Sequence, residues 1–415
     1  MDKPRPGRVR APHWVGEGHQ LQNSIVDRRS VLKTSLALSG LAGLEACTGI
    51  APPLVDAYRP VIAPVRARSD RIFDISVCLR PFRAAGPRLD TETIGRTLIV
   101  HNYGHGGSGW SLSWGSGTIA VKKAMMNSPG EIAVIGCGAL GLTSAILAQK
   151  AGAKVTIYAR EQLPQTRSAR ATGSWTPDSR IALADKVSPD FPALWEEMAR
   201  TSFRTFRSYL GLPGEPVEWI DRYVVTDNDP GDHRIEMNGP GALPFAEYYD
   251  RIADLTPHRQ MLPPGSTSFG KRFVSRNETL MFNIADYGHT LMTDFLLAGG
   301  RLEMREFHAP AEFGQLKEKV VINCTGYGAR DLWKDDSIVP VRGQIQWLIP
   351  QPEVKYGLFY DGINVLSRRD GICVQSLEGG DMQGYGDTNE APDRAEADAA
   401  VNRIAPLFAD FGGTD

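Results

Sequence analysis

Gly136, Gly138 and Gly141 stand in the spacing Gly-x-Gly-x-x-Gly, with Cys137, Ala139 and Leu140 between them. That spacing suits a backbone that must come close to a pyrophosphate. Gly136 permits a tight turn, Gly138 lets the main chain approach the anion, and Gly141 lets a helix pack closely on a sheet. The surrounding segments have the order this chemistry needs. Glu131 to Ile135 reads as a buried parallel strand, Leu142 to Lys150 as a helix ended by Gly152, and Lys154 to Tyr158 as the next strand. Ala139 and Leu140 open the helix, whose free N–H groups and partial positive charge would face the phosphates. An acidic residue about 20 positions on normally holds the ribose hydroxyls. Here the strand ends Tyr158-Ala159-Arg160-Glu161, so either Glu161 does this one position late or Arg160 contributes. An arginine there also suits a 2′-phosphate, which keeps a nicotinamide dinucleotide open beside a flavin one.

A second glycine-rich stretch, His101 to Trp110, lies before the fingerprint and includes Gly106, Gly107, Ser108 and Gly109. His101 and His105 without acidic partners are a poor metal pair, so no metal is expected. The glycines instead offer N–H groups and close approach, and a helix over about Ser116 to Met126 would lead into the strand at Glu131. His289 reads as a structural histidine.

At 415 residues the chain exceeds what one hydrophobic core usually serves, so two domains plus appendages are expected. A net charge of −2 gives no electrostatic case for nucleic acid. Five cysteines without Cys-x-x-Cys pairs argue against a zinc site or a disulfide framework. Near the start, Arg28-Arg29 precedes a mildly apolar run, Thr34 to Leu44, which resembles a twin-arginine export signal. That run is too short to span a membrane. The expectation is an exported, periplasmic protein carried folded by the export machinery. Leu44-Glu45-Ala46-Cys47 resembles a lipoprotein box, which leaves lipidation of Cys47 open.

Several further motifs carry a family resemblance. They are Leu79-Arg80-Pro81-Phe82-Arg83 with Arg88-Leu89-Asp90, the stretch His101 to Gly115, and Thr166 to Trp175. Val321-Ile322-Asn323-Cys324-Thr325-Gly326 and Arg342-Gly343-Gln344 complete the set. Together they cover most of residues 76–400, and on them the chain resembles the D-amino-acid oxidase family of FAD-dependent oxidoreductases. In that family the fingerprint opens the chain and the stretch like His101 to Gly115 closes it. The reversed order here is what a circular permutation looks like, and surface termini that lie close in space tolerate one.

The resemblance implies an α/β fold, with a doubly wound FAD-binding domain interleaved with an antiparallel-sheet substrate domain in permuted order. The expected segments are 1–50 export signal, 51–70 linker, 71–130 permuted C-terminal part and 131–210 FAD-binding dinucleotide fold. They continue with 211–300 and 341–415 as the two parts of the substrate domain, and 301–340 as the return of the FAD domain. Strands of the substrate sheet are expected at Val217–Thr226, Gly343–Leu348 and Ile372–Ser376. The resemblance also implies that Gly106 to Ser111, with Trp110, wrap the flavin, and that Arg167 and Ser168 meet the pyrophosphate. Arg80 would bind the substrate carboxylate and Tyr360 would touch the substrate. A second active-site tyrosine of the family falls at Asn364, which removes an aromatic wall and puts the substrate in question. The implied reaction is oxidative deamination of an amino acid, D favoured, by hydride transfer to flavin N5, with oxygen or another acceptor taking the electrons. A flavin dehydrogenase of another amine or 2-hydroxy acid, and a flavin-binding protein with a decayed site, stay open.

Overall fold

The short β-branched run Glu131 to Ile135 and its neighbours form strands buried on both faces in the computed structural model, which describes residues 62–229, 241–409 and 411. The predicted export signal, Cys47 and positions 51–61 of the predicted linker lie outside the described residues. In chain order the first elements are β1 (Ile72–Arg83), β2 (Thr91–Ile94), β3 (Thr97–His101), α1 (Gly109–Ala124), β4 (Glu131–Ile135), α2 (Ala139–Lys150) and β5 (Lys154–Ala159). There follow α3 (Phe191–Phe206), β6 (Val217–Thr226), β7 (Gln260–Leu262), β8 (Phe273–Phe282), α4 (Ile284–Leu297), β9 (Arg301–Met304) and β10 (Val320–Asn323). The last are α5 (Ala329–Leu332), β11 (Ile338–Leu348), β12 (Tyr356–Tyr360), β13 (Ile363–Arg368), β14 (Gly371–Ser376) and α6 (Arg394–Ala409).

Two sheets organise these elements. The first has the order β2-β3-β10-β4-β5-β9, and every neighbouring pair is parallel except the β2–β3 hairpin. All four residues of β10 are buried, as befits a central strand covered on both faces. Asn323 pairs in register with His101 on one side and Ile135 on the other. The loops after β3 and β4 therefore leave the sheet at the same edge, flanking β10.

The helix expected from about Ser116 begins at Gly109 instead and ends at Ala124. Its glycines hide it in the sequence, because each costs about 1 kcal/mol relative to alanine. They are there for packing: a Cβ on Gly115 would fall 2.1 Å from the Met198 carbonyl oxygen of α3, and one on Gly117 would fall 3.0 Å from Leu147 of α2. Tertiary contact, rather than propensity, makes this helix.

The second sheet has the order β1-β11-β14-β13-β12-β6-β8-β7. It is antiparallel throughout except for β12 and β6, which run parallel. Side chains alternate between its faces. Tyr356, Leu358, Val365 and Val374 face α6, which covers them with Val401, Ile404 and Leu407. Each such buried side chain contributes about 1.5–3 kcal/mol. The opposite face carries Ile220, Ile345, Leu366 and Cys373, and by the same alternation it also carries Arg80, Arg222 and Asn364. Segment 71–130 supplies strands to both sheets.

Candidate functional site

The fingerprint glycines are placed by contacts that only glycine allows. Gly136 has φ +108°, and a Cβ there would fall 2.5 Å from the Cys324 carbonyl oxygen. A Cβ on Gly141 would fall 2.0 Å from the Gly136 carbonyl oxygen, so this residue sets how closely α2 meets β4. Gly138 stands at the N-cap of α2 with no side-chain cap and no acid in the first turn, leaving the helix end electropositive. The Ala139 N–H donates to Ser168 Oγ at 3.0 Å.

A cavity of about 550 Å³ opens in front of this turn. Gly136, Gly138, Ala139 and Leu140 line it from one side, and Gly106, Gly107, Gly109 and Trp110 from the other. Arg160, Glu161, Arg167, Ser168 and Arg80 line it as well. Arg160 donates to both Glu161 and Glu306 at 3.2 Å, which spends its charge and leaves little for a 2′-phosphate. Arg167 lies 5.0 Å over the Tyr327 ring and pairs with Glu390 at 2.6 Å, while its Nε is buried without a partner.

Ser108, Ser111 and Gly141 do not line the cavity. The Ser108 hydroxyl donates to the Ser179 carbonyl at 3.1 Å, and Ser111 Oγ accepts from the Thr176 N–H at 2.9 Å. Both brace the loop that follows β3 and the start of α1. Trp110 Nε1 donates to the Ser168 carbonyl at 2.8 Å, tying the two glycine-rich walls together.

His105, which the spacing with His101 marks only as a poor metal ligand, also lines the cavity. It is 1% exposed, and neither ring nitrogen has a hydrogen-bond partner. Burial, with the nearby Arg83 charge, pulls its pKa from 6.5 down to about 3, so the ring is neutral. Among the described residues no cluster suited to a metal ion occurs. The four described cysteines are free, and burial raises the pKa of each.

The neutral His105 has a consequence for stability against pH. Between pH 6.5 and about 3 the unfolded chain binds a proton that the folded chain excludes, so stability is complete above 6.5 and falls as pH is lowered through that window. At pH 5 the loss is about 2 kcal/mol from this residue. His101, whose pKa is also lowered by burial, acts with the same sign. His105→Gln should lose less stability than the parent between pH 7 and pH 5 in denaturant melts. Parallel losses would rule out His105 as the source.

At the substrate end, Arg80 is half-buried, and its guanidinium lies where a Cβ on Gly343 would meet it at 2.2 Å. Glycine at position 343 thus makes the room Arg80 occupies. Beside it Arg180, 5% exposed, donates to the carbonyls of Gly380 (2.7 Å) and Asp381 (2.8 Å). Asn364 lies on the same face as Arg80 and accepts from Arg222 Nη2 at 2.5 Å, but neither Asn364 nor Arg222 lines the cavity.

Tyr360 is not brought to this site. It pairs in register with Ile363, on the α6 face, whereas Asn364 pairs with Phe359 on the other. Its hydroxyl donates to Asp227 at 2.9 Å, and its ring sits under Arg272 and against the α6 core. The odd register separates the two residues that the resemblance had put together.

Arg180, near Arg80, and Arg222, neither of them lining the cavity, were not expected from the sequence. Arg222 alternates with Ile220 and Val224 in β6, so an arginine at an inward position was a readable signal. Arg180 lies outside any strand or helix, at φ +49°, and no pattern marks it.

The residues present fit FAD. Two helix N-termini without acidic first turns border one cavity, those of α1 and α2. Glycines on both walls allow close approach, and buried donors at His105 and Arg167 await a partner.

Comparison with known proteins agrees. A family model described as FAD dependent oxidoreductase matches residues 131–415. The D-amino-acid oxidase of Rubrobacter xylanophilus is 30% identical over 277 residues, covering 66% of this chain and 76% of that one. The D-amino-acid oxidase of Streptomyces coelicolor is 28% identical over 222 residues, covering 52% and 58%. Among solved structures, a glycine oxidase from Geobacillus kaustophilus covers 68% of this chain and 78% of its own at 12% identity, with a TM-score of 0.44. The chain belongs to the FAD-dependent oxidoreductase family that includes the D-amino-acid oxidases, and it is an oxidoreductase with FAD as its cofactor.

Proposed function

We propose that the protein oxidatively deaminates a free amino acid, the D enantiomer favoured, to an imino acid that hydrolyses to a keto acid and ammonia. The observation that carries this reading is Arg80, a half-buried guanidinium on the cavity wall with no carboxylate within ion-pair distance among the described residues. Its planar fork pairs bidentately with a substrate carboxylate. FAD, when bound, would supply the two-electron sink for the α-hydrogen transferred as hydride, with oxygen or another acceptor as the final oxidant. His105, neutral and unpartnered, offers one donor and one acceptor to the bound cofactor. Gly106, Gly107 and the N-terminus of α1 add backbone N–H groups and partial positive charge. An amine that binds uncharged needs positioning rather than a protein base. The 30% identity to a D-amino-acid oxidase supports the D preference.

The order of the chain is read as a circular permutation. The family match begins at residue 131, while β3 from the preceding segment stands beside β10 in the same sheet as β4. Export in the folded state, with FAD in place, is proposed from the twin-arginine pattern, with a lipid anchor at Cys47 left open. Among the described residues no helix is long and apolar enough to cross a membrane.

The test is anaerobic reduction of the purified flavoprotein by a panel of D- and L-amino acids. Bleaching of the flavin absorbance by D-amino acids, ahead of their L enantiomers and of 2-hydroxy acids, is the expected result. A flavin that no amino acid reduces would sink the proposal.

A further inference from the structure

Three polar side chains cross one face of the mostly parallel sheet. Glu92 of β2 pairs in register with Ile99 of β3, so His101, two residues on, shares its face and lies diagonally across from it. His101 is in turn in register with Asn323 of β10. The contacts follow this geometry. His101 Nε2 stands 2.7 Å from Glu92 Oε1, and His101 Nδ1 stands 3.0 Å from Asn323 Nδ2. Asn323 Oδ1 accepts from the Thr325 hydroxyl at 2.8 Å and from the Thr325 N–H at 3.3 Å. His101 and Asn323 are wholly buried. At one end of the run Glu92 is part exposed, and at the other Thr325 lines the cofactor cavity.

Every bond in the run has a fixed direction. A backbone N–H can only donate, so the Thr325 N–H faces the Asn323 oxygen and the Asn323 amide nitrogen faces His101. That nitrogen donates to Nδ1, which leaves the ring proton on Nε2, where the Glu92 carboxylate accepts it. The Trp333 indole N–H donates to the same oxygen, and Arg88 Nη2 lies 3.7 Å from it, so Glu92 is surrounded by donors. Burial, and after it the Arg88 charge, holds the His101 pKa below 6.5, so the ring is neutral and has one proton to give. Thr325 spends its hydroxyl hydrogen on Asn323. Its oxygen has only lone pairs left to offer a ligand. Apolar side chains would fill this sheet at lower cost, and a buried polar run that is satisfied throughout holds its members in one arrangement.

We propose that Glu92, His101 and Asn323 are positioning residues for the cofactor, holding the Thr325 hydroxyl as an acceptor so that this point of the cavity takes a hydroxyl or N–H of FAD and repels its phosphate oxygens. The phosphates are left to the electropositive start of α2, beyond Gly136. Glu92 acts from the surface without touching the ligand. Loss of its carboxylate lets the His101 proton sit on Nδ1. The Asn323 amide then turns over to accept it, and Thr325, now faced by the amide nitrogen, turns its hydroxyl hydrogen to the cavity. A change at the sheet edge thus reverses the hydrogen-bonding character of a cavity wall on the far side of two buried residues. The inference holds whatever substrate is oxidised.

The test is a binding cycle on the full chain stripped of flavin and titrated with FAD at neutral pH, with quenching of flavin fluorescence as the readout. Thr325→Val should raise the Kd about tenfold, the worth of one hydrogen bond, and Thr325→Ser should restore it. Glu92→Met should raise the Kd about fivefold in the parent and less than about twofold beside Thr325→Val. Such coupling between residues that do not touch marks an effect passed along the run. Equal effects of Glu92→Met in the two backgrounds would make Glu92 a support of the fold alone and overturn the proposal, as would a Thr325→Val protein that binds FAD like the parent. If Glu92→Met does not fold, the ring-nitrogen NMR shifts of His101 in the parent decide. The Nε2–H tautomer, with and without FAD, together with the Thr325→Val loss supports the proposal, and the Nδ1–H tautomer overturns it.

Discussion

Arg80→Ala should raise KM for amino-acid substrates by about 100-fold while the purified protein keeps its flavin. The size follows from chemistry rather than area. Hydrogen bonds to a charged partner are worth about 1.5–3 kcal/mol each, and a bidentate fork makes two. Arg80→Lys should recover only part of the loss, because an ammonium is a point charge that cannot match both carboxylate oxygens. Gly343→Ala should copy the defect without touching the charge, since its Cβ would displace the guanidinium (2.2 Å to Nη1). Steady-state kinetics of the three variants with one substrate decides the matter. An unchanged KM in a fully flavinated Arg80→Ala protein would remove Arg80 from the substrate site.

Gly106→Ala should cost the protein more than Gly95→Ala, which faces open space. The residue sits at φ +55°, and a Cβ would fall 1.9 Å from the Arg180 carbonyl oxygen, which is backbone and has no freedom to yield. Gly95 provides the control. It has φ +60° and nothing within 4 Å of its would-be Cβ, so Gly95→Ala carries only the cost of the left-handed backbone, about 1 kcal/mol. Gly106→Ala adds the forced displacement of the Gly106 wall from the Arg180 backbone, and its destabilisation should exceed about 3 kcal/mol, with loss of bound FAD. Denaturant melts and the ratio of flavin to protein absorbance measure both effects. Equal losses at positions 95 and 106 would mean that the contact with Arg180 contributes nothing.

The nucleotide half of this site was legible because its physics is local. A β-branched run, three glycines at fixed spacing and a helical stretch each declare themselves within a dozen residues, and Gly136 to Gly141 stand as that pattern requires. The substrate half was not, because it depends on register across several strands. Tyr360 and Asn364 are four residues apart, yet a turn separates them, and the pairing of Phe359 with Asn364 puts them on opposite faces of the sheet. No count along the chain reveals that. Ser108 and Ser111 sit within the correct motif but serve the loop rather than the cavity, a distinction that resides in the partners Ser179 and Thr176. The start of α1 was hidden for a third reason. Its glycines argue against a helix locally, and only the approach of α2 and α3 explains why one forms.

The position of β10 bears on how the molecule comes to hold its cofactor. Asn323 is bonded to His101 on one side and paired with Ile135 on the other, so β10 is the wedge that keeps the two glycine-rich walls at working distance. During synthesis the walls leave the ribosome early and wait nearly two hundred residues for their separator, each with one open strand edge. Nascent chains that end before about residue 323 carry both glycine-rich walls without the strand that spaces them.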